Sequence, residues 1–560
     1  MMSSSDTKVI IIGLDGATWT ILKPWIEEGK LPSINLLSES GVWGDLETVI
    51  PPLSAPAWVS FTTGKNPGNH GIYNFILKKK GTYDILFVNS VVQKKLSKRL
   101  WDYLVFKGLK SIIINLMPSY PPENINGVLI SDKLTTPSGK NFIYPAQLSV
   151  ELKSNVGEYD IEPLEDLIVG SDDKKFLERL LRSEKQQIKY FKYLLKNYEW
   201  DLAISIFSGS DCIQHAFWGY IDPTHPLYNS QDKIVYENKI LSLFKMYDDL
   251  LKYLITSYDD AIIFVISDHG HGPCYKYFNL PVWLKKKGYL KFKENPTTLI
   301  KLFLFSSLFD LFYSIMGKLG VIEKVKHIFL RGKSSNGKRS LFNYLFDYIF
   351  VSWRDIDWSK TVAFVISSGG QIYLNLKGRE PFGVVSPEEY EAIREKIKRE
   401  LENVVDPETG EKVIYKVFKK EEIYSGKYLK EASDLICLPN KGYVIQYPQV
   451  YKPNLFEVSK IAGTHTSVNE LKGIFLAYGK GIKKGVKIEG AKIYDVTPTV
   501  LHVFGLPIPN DIDGRVLKEI FDESSEFAKR SPEYVDPSYY EKDEKEKIRS
   551  KIRELKLKTN

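Results

Sequence analysis

Residues 8–15 read Lys-Val-Ile-Ile-Ile-Gly-Leu-Asp, and this short stretch decides the fold class. An uninterrupted run of Val and Ile is typical of a strand that is buried on both faces of a parallel sheet. The same pattern recurs at Ser111–Leu116, Leu202–Phe207 and Ala261–Ile266. Helical stretches such as Lys174–Tyr198 lie between these runs. The alternation predicts an α/β fold whose mixed, mostly parallel sheet is sandwiched by helices.

Acidic residues follow three of these predicted strands. Asp15 ends the first run, Asp268 comes soon after the run that begins at Ala261, and Asp211 comes a few residues after Phe207. Ligands of open α/β sheets bind beyond the carboxyl ends of the strands. We therefore expect these three carboxylates to converge at one edge of the sheet.

Three histidines are candidate ligands beside these acids. Asp211 and His215 are four residues apart, so one helical turn would point both the same way. His269 follows Asp268 directly, and His465 stands between two threonines. Taken alone, the Asp–His pair is more often a helix cap or a surface pair, and His465 is equally well a loop residue. Together, carboxylates and imidazoles suit zinc, or manganese in a more oxygen-rich shell.

Ser54 lies in the stretch Pro-Pro-Leu-Ser-Ala-Pro at residues 51–56, where three prolines restrict the backbone. A nucleophile needs such preset geometry, although an isolated serine there would be read as an ordinary turn hydroxyl. Two metal ions about 4 Å apart can stabilise both the attacking and the leaving oxygen of a displacement. The combined set predicts hydrolysis of a phosphate or sulfate ester.

Five stretches together resemble the alkaline phosphatase superfamily, and within it the type I phosphodiesterase/nucleotide pyrophosphatase group. The matches occur in the family's order and span most of residues 8–520. They are Val9–Asp15, Pro51–His70, Asp211–His215 (DCIQH), Ser267–His271 (SDHGH) and Asp495–Gly514.

The resemblance implies two sites for divalent metal ions, zinc or manganese: Asp211, His215 and His465 form one, and Asp15, Asp268 and His269 form the other. It implies that the Ser54 oxygen lies between the ions and attacks phosphorus, so that a phosphoseryl intermediate forms. It also implies that Asn74, twenty residues after Ser54, holds a phosphate oxygen. We interpret His70 as a turn residue and leave the role of His271 open.

Other chemistries of the superfamily remain as alternatives. A phosphomonoesterase or phosphomutase would use the same centre. However, the first arginine is Arg99, so no guanidinium near Ser54 in sequence is available to grip a monoester. A sulfatase is disfavoured because Trp58 stands where its motif requires arginine. A head-group phosphotransferase would normally carry transmembrane helices, and a structural metal protein would show closed sites, usually with cysteine.

We expect four regions in the chain. They are a phosphoesterase core (1–290 and 451–525), a helical insertion or cap (291–355), a small α+β lobe (356–450) and a charged C-terminal tail (526–560). Lys301 and Asp310 interrupt the apolar stretch Thr298–Gly317, so we predict no transmembrane segment there. Peripheral contact with a membrane surface is left open.

Composition is that of a soluble globular protein, with 43% hydrophobic and 26% charged residues among 560. The three cysteines form no disulfide framework and the N-terminal apolar run is too short for a signal peptide, so we expect a cytoplasmic protein. The net charge of +8 favours an anionic partner. We read the lysine clusters as solvated faces. We therefore expect a small phosphate ester as substrate and no nucleic-acid binding.

Overall fold

The structure is a computed structural model, and it describes residues 7–137, 139–162, 173–303, 353–445 and 454–541. Most of the apolar stretch Thr298–Gly317 lies outside these residues, as does the last part of the expected tail, 542–560. Predictions on those parts of the chain therefore remain expectations.

The described strands are numbered in chain order. They are β1 Val9–Leu14, β2 Val42–Glu47, β3 Ile76–Lys78, β4 Ile85–Phe87, β5 Ser111–Ile114, β6 Gly127–Ile130, β7 Ile143–Tyr144, β8 Leu202–Phe207, β9 Ile262–Ile266, β10 Gly272–Phe278, β11 Ala363–Phe364, β12 Gln371–Leu374, β13 Ile414–Lys419, β14 Leu435–Pro439, β15 Gly442–Ile445, β16 Phe456–Val458, β17 Gly463–Thr464, β18 Lys472–Tyr478, β19 Val486–Lys492, β20 Ile508–Pro509 and β21 Tyr534–Val535.

The described α-helices are numbered in the same way. They are α1 Trp19–Glu27, α2 Pro32–Glu39, α3 Ser54–Thr63, α4 Pro67–His70, α5 Ser90–Leu96, α6 Leu100–Leu104, α7 Leu148–Val156, α8 Asp173–Asn197, α9 Gly209–Ile221, α10 Ser230–Ser257, α11 Leu280–Lys286, α12 Tyr390–Glu402, α13 Lys420–Ile423, α14 Val496–Val503 and α15 Glu526–Lys529.

Nine strands form the central sheet, in the order β19-β2-β18-β9-β1-β8-β5-β6-β7. The four strands predicted from the apolar runs, β1, β5, β8 and β9, are neighbours in the middle of this sheet and run parallel. Strand β18 is antiparallel to β9 and to β2, and β7 is antiparallel to β6, so the sheet is mixed.

Helices cover both faces of the central sheet, and β1 shows why its sequence is apolar throughout. Ile10 and Ile12 pack into one hydrophobic core, and Val9 and Ile11 pack into a second core on the opposite face. All four side chains are fully buried. The predicted α/β sandwich with a mixed, mostly parallel sheet is therefore confirmed.

A smaller four-stranded sheet, β11-β12-β14-β13, lies within residues 356–450. Helix α12 packs on it through Ile397 and Leu401, both fully buried. A capping box precedes this helix: Glu389 N donates to Ser386 Oγ and Ser386 N donates to a Glu389 carboxylate oxygen. Strand β15 leaves this lobe and pairs with β10 of the core, so the lobe is joined to the core by strand pairing.

The residues at the start of the expected tail pack on the core. Strand β21 pairs in parallel with β20, and the Tyr540 hydroxyl donates to the carbonyl of Pro507. Among the described residues, no helix is both long and apolar enough to cross a bilayer.

Candidate active site

Three neighbouring parallel strands deliver the three predicted carboxylates to one edge of the sheet. Strand β1 lies between β8 and β9, and the acids follow at the carboxyl ends. Gly16 N donates to Asp268 Oδ1 at 3.1 Å, which links the ends of β1 and β9. Gly16 has φ +65°, and a Cβ there would lie 2.9 Å from Asp211 Oδ1. A glycine at this position therefore lets the three carboxylates approach one another.

Ser54 is the first residue of α3, which directs its hydroxyl at these acids. Its Oγ lies 3.2 Å from His269 Nε2 and 3.4 Å from Asp15 Oδ1. From the next turn of the same helix, Trp58 Nε1 donates to the other oxygen of Asp15 at 3.0 Å. The residue predicted as the nucleophile is thus in hydrogen-bond contact with two predicted metal ligands.

Asp15, Asp268 and His269 form a compact group whose potential ligand atoms all lie within 4.8 Å of one another. His269 Nε2 is 3.1 Å from Asp268 Oδ2 and 3.6 Å from Asp15 Oδ1. Both Asp268 and His269 are fully buried. This is the set that the resemblance assigns to one metal ion, and all three of its side chains are buried.

The other predicted set lies closer to solvent, and its geometry is less simple. His215 Nε2 is 3.3 Å from Asp211 Oδ2, and the ring of His465 stacks on that of His269 with centroids 3.9 Å apart. Asp211 groups with His269 and His465 within 4.8 Å, and separately with His215 and His271. The fold therefore brings the six predicted Asp and His ligands and Ser54 together. However, Asp211 belongs to two overlapping groups, and neither group is the predicted set of Asp211, His215 and His465.

The three predicted histidine ligands share one orientation. Nδ1 of His215 contacts Gly463 O at 2.7 Å, Nδ1 of His269 contacts Gly270 O at 2.9 Å, and Nδ1 of His465 contacts Pro52 O at 2.8 Å. A carbonyl oxygen can only accept, so each Nδ1 carries a proton and each Nε2 is the nitrogen that faces the cluster. This tautomer is the one that a metal-binding imidazole requires at Nε2.

His271 is the residue whose role the sequence left open. Its side chain is fully buried, and Nδ1 lies 3.2 Å from Asp211 Oδ1. Burial lowers the pKa of His271 to about 3, so the ring is neutral. Its spacing from Asp268 in Asp-His-Gly-His was the available signal, but spacing could not show which carboxylate it would meet.

The electrostatics of the cluster fit bound cations. Burial and the neighbouring acids Asp268 and Asp211 raise the pKa of Asp15 well above its usual value. Burial also raises the pKa of Asp268, whose Oδ2 has no hydrogen-bond partner among the described residues. Burial acts in the same direction on Asp211, but His215 and His271 together hold its pKa well below the usual value. Crowded buried carboxylates beside imidazole nitrogens are the donor set of a metal centre.

Asn74, predicted to hold a phosphate oxygen, has other partners in this structure. Its amide Nδ2 donates to Ser368 O at 2.8 Å and to Gln371 Oε1 at 3.0 Å. Its Oδ1 accepts from Phe75 N at 2.7 Å, and the side chain is 2% exposed. Both amide hydrogens are occupied, so this arrangement does not support the predicted contact with phosphate.

Comparisons with known proteins agree with this architecture. The family model of type I phosphodiesterase/nucleotide pyrophosphatase matches residues 9–467. No curated protein matches the chain. Phosphonoacetate hydrolase from Sinorhizobium meliloti 1021, solved with phosphonoacetate, superimposes with a TM-score of 0.51 at 13% identity and covers 88% of this chain and 94% of its own. Murine ectonucleotide pyrophosphatase/phosphodiesterase 5 gives a TM-score of 0.47 at 13% identity, covering 92% and 100%.

The α/β fold and the Asp/His cluster at its sheet edge are those expected of a hydrolase that acts on phosphoric esters. The chain belongs to the type I phosphodiesterase/nucleotide pyrophosphatase family, whose model covers residues 9–467. The protein is thus an enzyme that hydrolyses phosphoric ester bonds. The family is metal-dependent, and the Asp/His groups at the sheet edge are the places where metal ions could bind.

Proposed function

We propose that the protein hydrolyses phosphodiester or pyrophosphate bonds of small molecules, with Ser54 as the nucleophile. The observation that carries this proposal is the position of Ser54 Oγ, 3.2 Å from His269 Nε2 and 3.4 Å from Asp15 Oδ1 at the start of a helix. A hydroxyl that faces two metal ligands stands where bound cations would favour its ionised form. The partly positive N-terminus of α3 adds to this effect.

The residues would hold two divalent cations, most favourably zinc, with manganese as the alternative. Asp15, Asp268 and His269 would hold one, and Asp211, His215 and His465 the other. When bound, the cations would supply positive charge that favours ionisation of the serine and stabilises charge on the phosphate oxygens.

The proposed reaction has two steps. Ser54 Oγ forms a bond to phosphorus as the bond to the leaving oxygen breaks, which gives a phosphoseryl intermediate. Water then attacks the same phosphorus and releases Ser54. Two displacements, each with inversion, leave the configuration at phosphorus unchanged.

A diester is proposed ahead of a monoester because of the charges around the site. Among the described residues, the groups within ion-pair distance of the Asp15, Asp211 and Asp268 carboxylates are all histidines, and none is a lysine or an arginine. A monoester carries a second negative charge that would call for an additional cationic group. A phosphomonoesterase or phosphomutase remains the alternative.

The cysteine content bears on where the protein works in the cell. Three cysteines scattered over 560 residues are too few for a disulfide framework, which supports a reducing, cytoplasmic location. We further propose a small-molecule substrate rather than nucleic acid.

Hydrolysis of bis-p-nitrophenyl phosphate and p-nitrophenyl phosphate tests this proposal, on the wild type and on Ser54→Ala with zinc or manganese added. We expect faster diester turnover by the wild type and a loss of at least about a thousandfold in Ser54→Ala. Phosphonoacetate completes the panel because a protein of the same fold was solved with it. A monoester preference would favour the alternative, and unchanged turnover by Ser54→Ala would overturn the proposed nucleophile.

Ser60→Ala is a matched control for this test. Ser60 lies in the same helix and is fully buried, but its hydroxyl contacts His70 at 2.9 Å rather than the metal-ligand cluster. We expect it to lose thermal stability and to keep its turnover per folded molecule.

A further inference from the structure

The small lobe contacts the part of the core that carries the nucleophile, and these contacts have a chemical consequence. We call residues 50–74 the nucleophile segment and residues 367–371 the lobe loop. We propose that Asn74 and Gln371 form a latch between the two, and that both are positioning residues for Ser54. Asn74 thus acts through the lobe rather than on the phosphate. This inference rests on the proposed function.

Asn74 forms the core side of the latch. A side-chain amide has two N–H donors and one oxygen acceptor. Asn74 directs its donors at Ser368 O and Gln371 Oε1, and its oxygen accepts from Phe75 N. A buried amide with this set of partners would lose two hydrogen bonds if it turned toward a ligand.

Gln371 forms the lobe side and returns the contact. Its Nε2 donates to Tyr73 O at 2.9 Å, and its Oε1 accepts from Asn74 and from Ser367 Oγ. Gln371 is the first residue of β12 and is 1% exposed, so it is part of the lobe's sheet. The two amides therefore connect the backbone of the nucleophile segment to a rigid element.

The lobe loop also packs directly against the residues that precede Ser54. Gly369 has φ +83°, and a Cβ there would lie 3.0 Å from Leu53 Cδ1 and 3.5 Å from Pro51 Cγ. Leu53 is the residue that caps α3, immediately before Ser54. The latch therefore holds a close-packed loop against the entry of the nucleophile helix.

Further contacts between the lobe and the nucleophile segment extend over most of the segment's length. The Tyr424 hydroxyl donates to Ile50 O, Asn66 Nδ2 donates to Ser425 Oγ at 3.1 Å, and the Tyr73 hydroxyl donates to Tyr428 O at 2.6 Å. From the core side, the predicted ligand His465 contacts Pro52 O. The backbone before Ser54 is thus held between the lobe and the metal-ligand cluster.

A shift of the nucleophile by about 1 Å can cost about a hundredfold in rate. Loss of the latch would move Ser54 relative to its metal ligands while leaving those ligands in place. The expected consequence is a fall in kcat with little change in KM and none in metal content.

The test uses the full-length protein with zinc and bis-p-nitrophenyl phosphate, and compares Asn74→Ala, Gln371→Ala and the double variant. We expect kcat to fall about tenfold or more in each single variant, with KM within about twofold. The double variant should resemble the worse single variant, because both residues belong to one latch. A loss in Asn74→Ala alone, or losses that multiply in the double variant, would overturn the proposal and assign Asn74 to the phosphate.

Asn375→Ala is the matched control. Asn375 is another fully buried amide of the lobe, and its Nδ2 donates to Trp358 O, Thr361 O and Phe382 O without reaching the nucleophile segment. It should lose stability and keep kcat. If Asn74→Ala does not fold, Gln371→Glu replaces it, since a carboxylate keeps the acceptor for Asn74 and loses the donor to Tyr73 O. An unchanged kcat in Gln371→Glu would then contradict the latch.

Hydrogen exchange separates this inference from the proposed function. Amides of residues 50–63 should exchange faster in Asn74→Ala and Gln371→Ala than in the wild type or in Asn375→Ala. Faster exchange in a protein without diesterase activity would keep the latch and reject the proposed function. If the wild type is an active diesterase and exchange is unchanged in both variants, the proposed function stands and the latch is rejected.

Discussion

The metal-binding edge of the large sheet and the nucleophile segment reach the same centre by different means. At the edge, β1, β8 and β9 are parallel neighbours, and Asp15, Asp211 and Asp268 all follow their carboxyl ends within a few residues. Ser54 has no such strand behind it. Its position depends on a proline-rich turn that the small lobe contacts from one side and His465 from the other.

This difference has a consequence for what mutations should do. Changes at the sheet edge should remove metal ions and with them the reaction. Changes around the nucleophile segment should leave the metal ions bound and alter the rate. The following variants are ordered from the largest expected effect to the smallest.

Asp268→Asn should have the largest effect. Asp268 is fully buried and faces both Asp15 and His269, so the amide replaces a charged ligand that no neighbour can substitute. We expect the loss of about one equivalent of metal by elemental analysis and a fall in diesterase rate of at least about a thousandfold. Asp248→Asn is the control, because this buried acid caps α2 at Ser33 N and Ile34 N and should affect stability only. Full metal content in Asp268→Asn would contradict the account.

His271→Gln should weaken metal binding without abolishing it. His271 contacts Asp211 and would orient that carboxylate, and the loss of such a partner typically costs 10–100-fold in metal affinity. Competition with a chelator followed by elemental analysis measures this. An unchanged affinity would show that His271 has no part in holding Asp211.

Trp58→Phe tests one of the direct links between the two regions, since Trp58 lies on the nucleophile helix and donates to Asp15. We expect kcat/KM to fall by about tenfold, in line with the loss of a hydrogen bond to a charged group. Trp101→Phe makes the same change at a buried indole whose nitrogen has no hydrogen-bond partner among the described residues. If both variants lose activity equally, volume and not the hydrogen bond is responsible.

His70→Gln should affect only stability and its pH dependence. Burial and the charge of Lys65 lower the pKa of His70 to about 3, below its unfolded value of about 6.5. Its contribution to stability is therefore present above about pH 6.5 and is lost as the pH falls toward 3. The slope of unfolding free energy against pH should be shallower in the variant by up to about 1.4 kcal/mol per pH unit in that window. Equal slopes for metal-free wild type and variant would contradict the neutral, buried state of His70.

The metal-binding edge is well predicted from the sequence, because strands buried on both faces appear as continuous apolar runs. The predicted strand Leu202–Phe207 has the same bounds in the structure, and the helix expected at Lys174–Tyr198 is shifted by one residue. Convergence of the acids then follows from sheet geometry. The positions of residues just after a strand can therefore be predicted without knowing their distant contacts.

The contacts of the nucleophile segment were harder to predict from the sequence, because its partners in the lobe loop lie more than 290 residues further along the chain. Nothing local to Asn74 indicates that Ser368 and Gln371 will occupy its amide. The same limit applies to His271, whose carboxylate partner lies on another element. The pairing of β21 with β20, within the region expected as the tail, also escapes sequence patterns because it involves only two residues of each strand.

The central claim is that Ser54 attacks phosphorus at a centre built by the sheet edge. Rapid acid quenching of the zinc-loaded enzyme during turnover of bis-p-nitrophenyl phosphate, followed by peptide mass spectrometry, tests it directly. The account predicts a p-nitrophenyl phosphoryl adduct on the peptide that contains Ser54, absent in Ser54→Ala. An adduct on a different residue, or undiminished turnover by Ser54→Ala without any adduct, would contradict it.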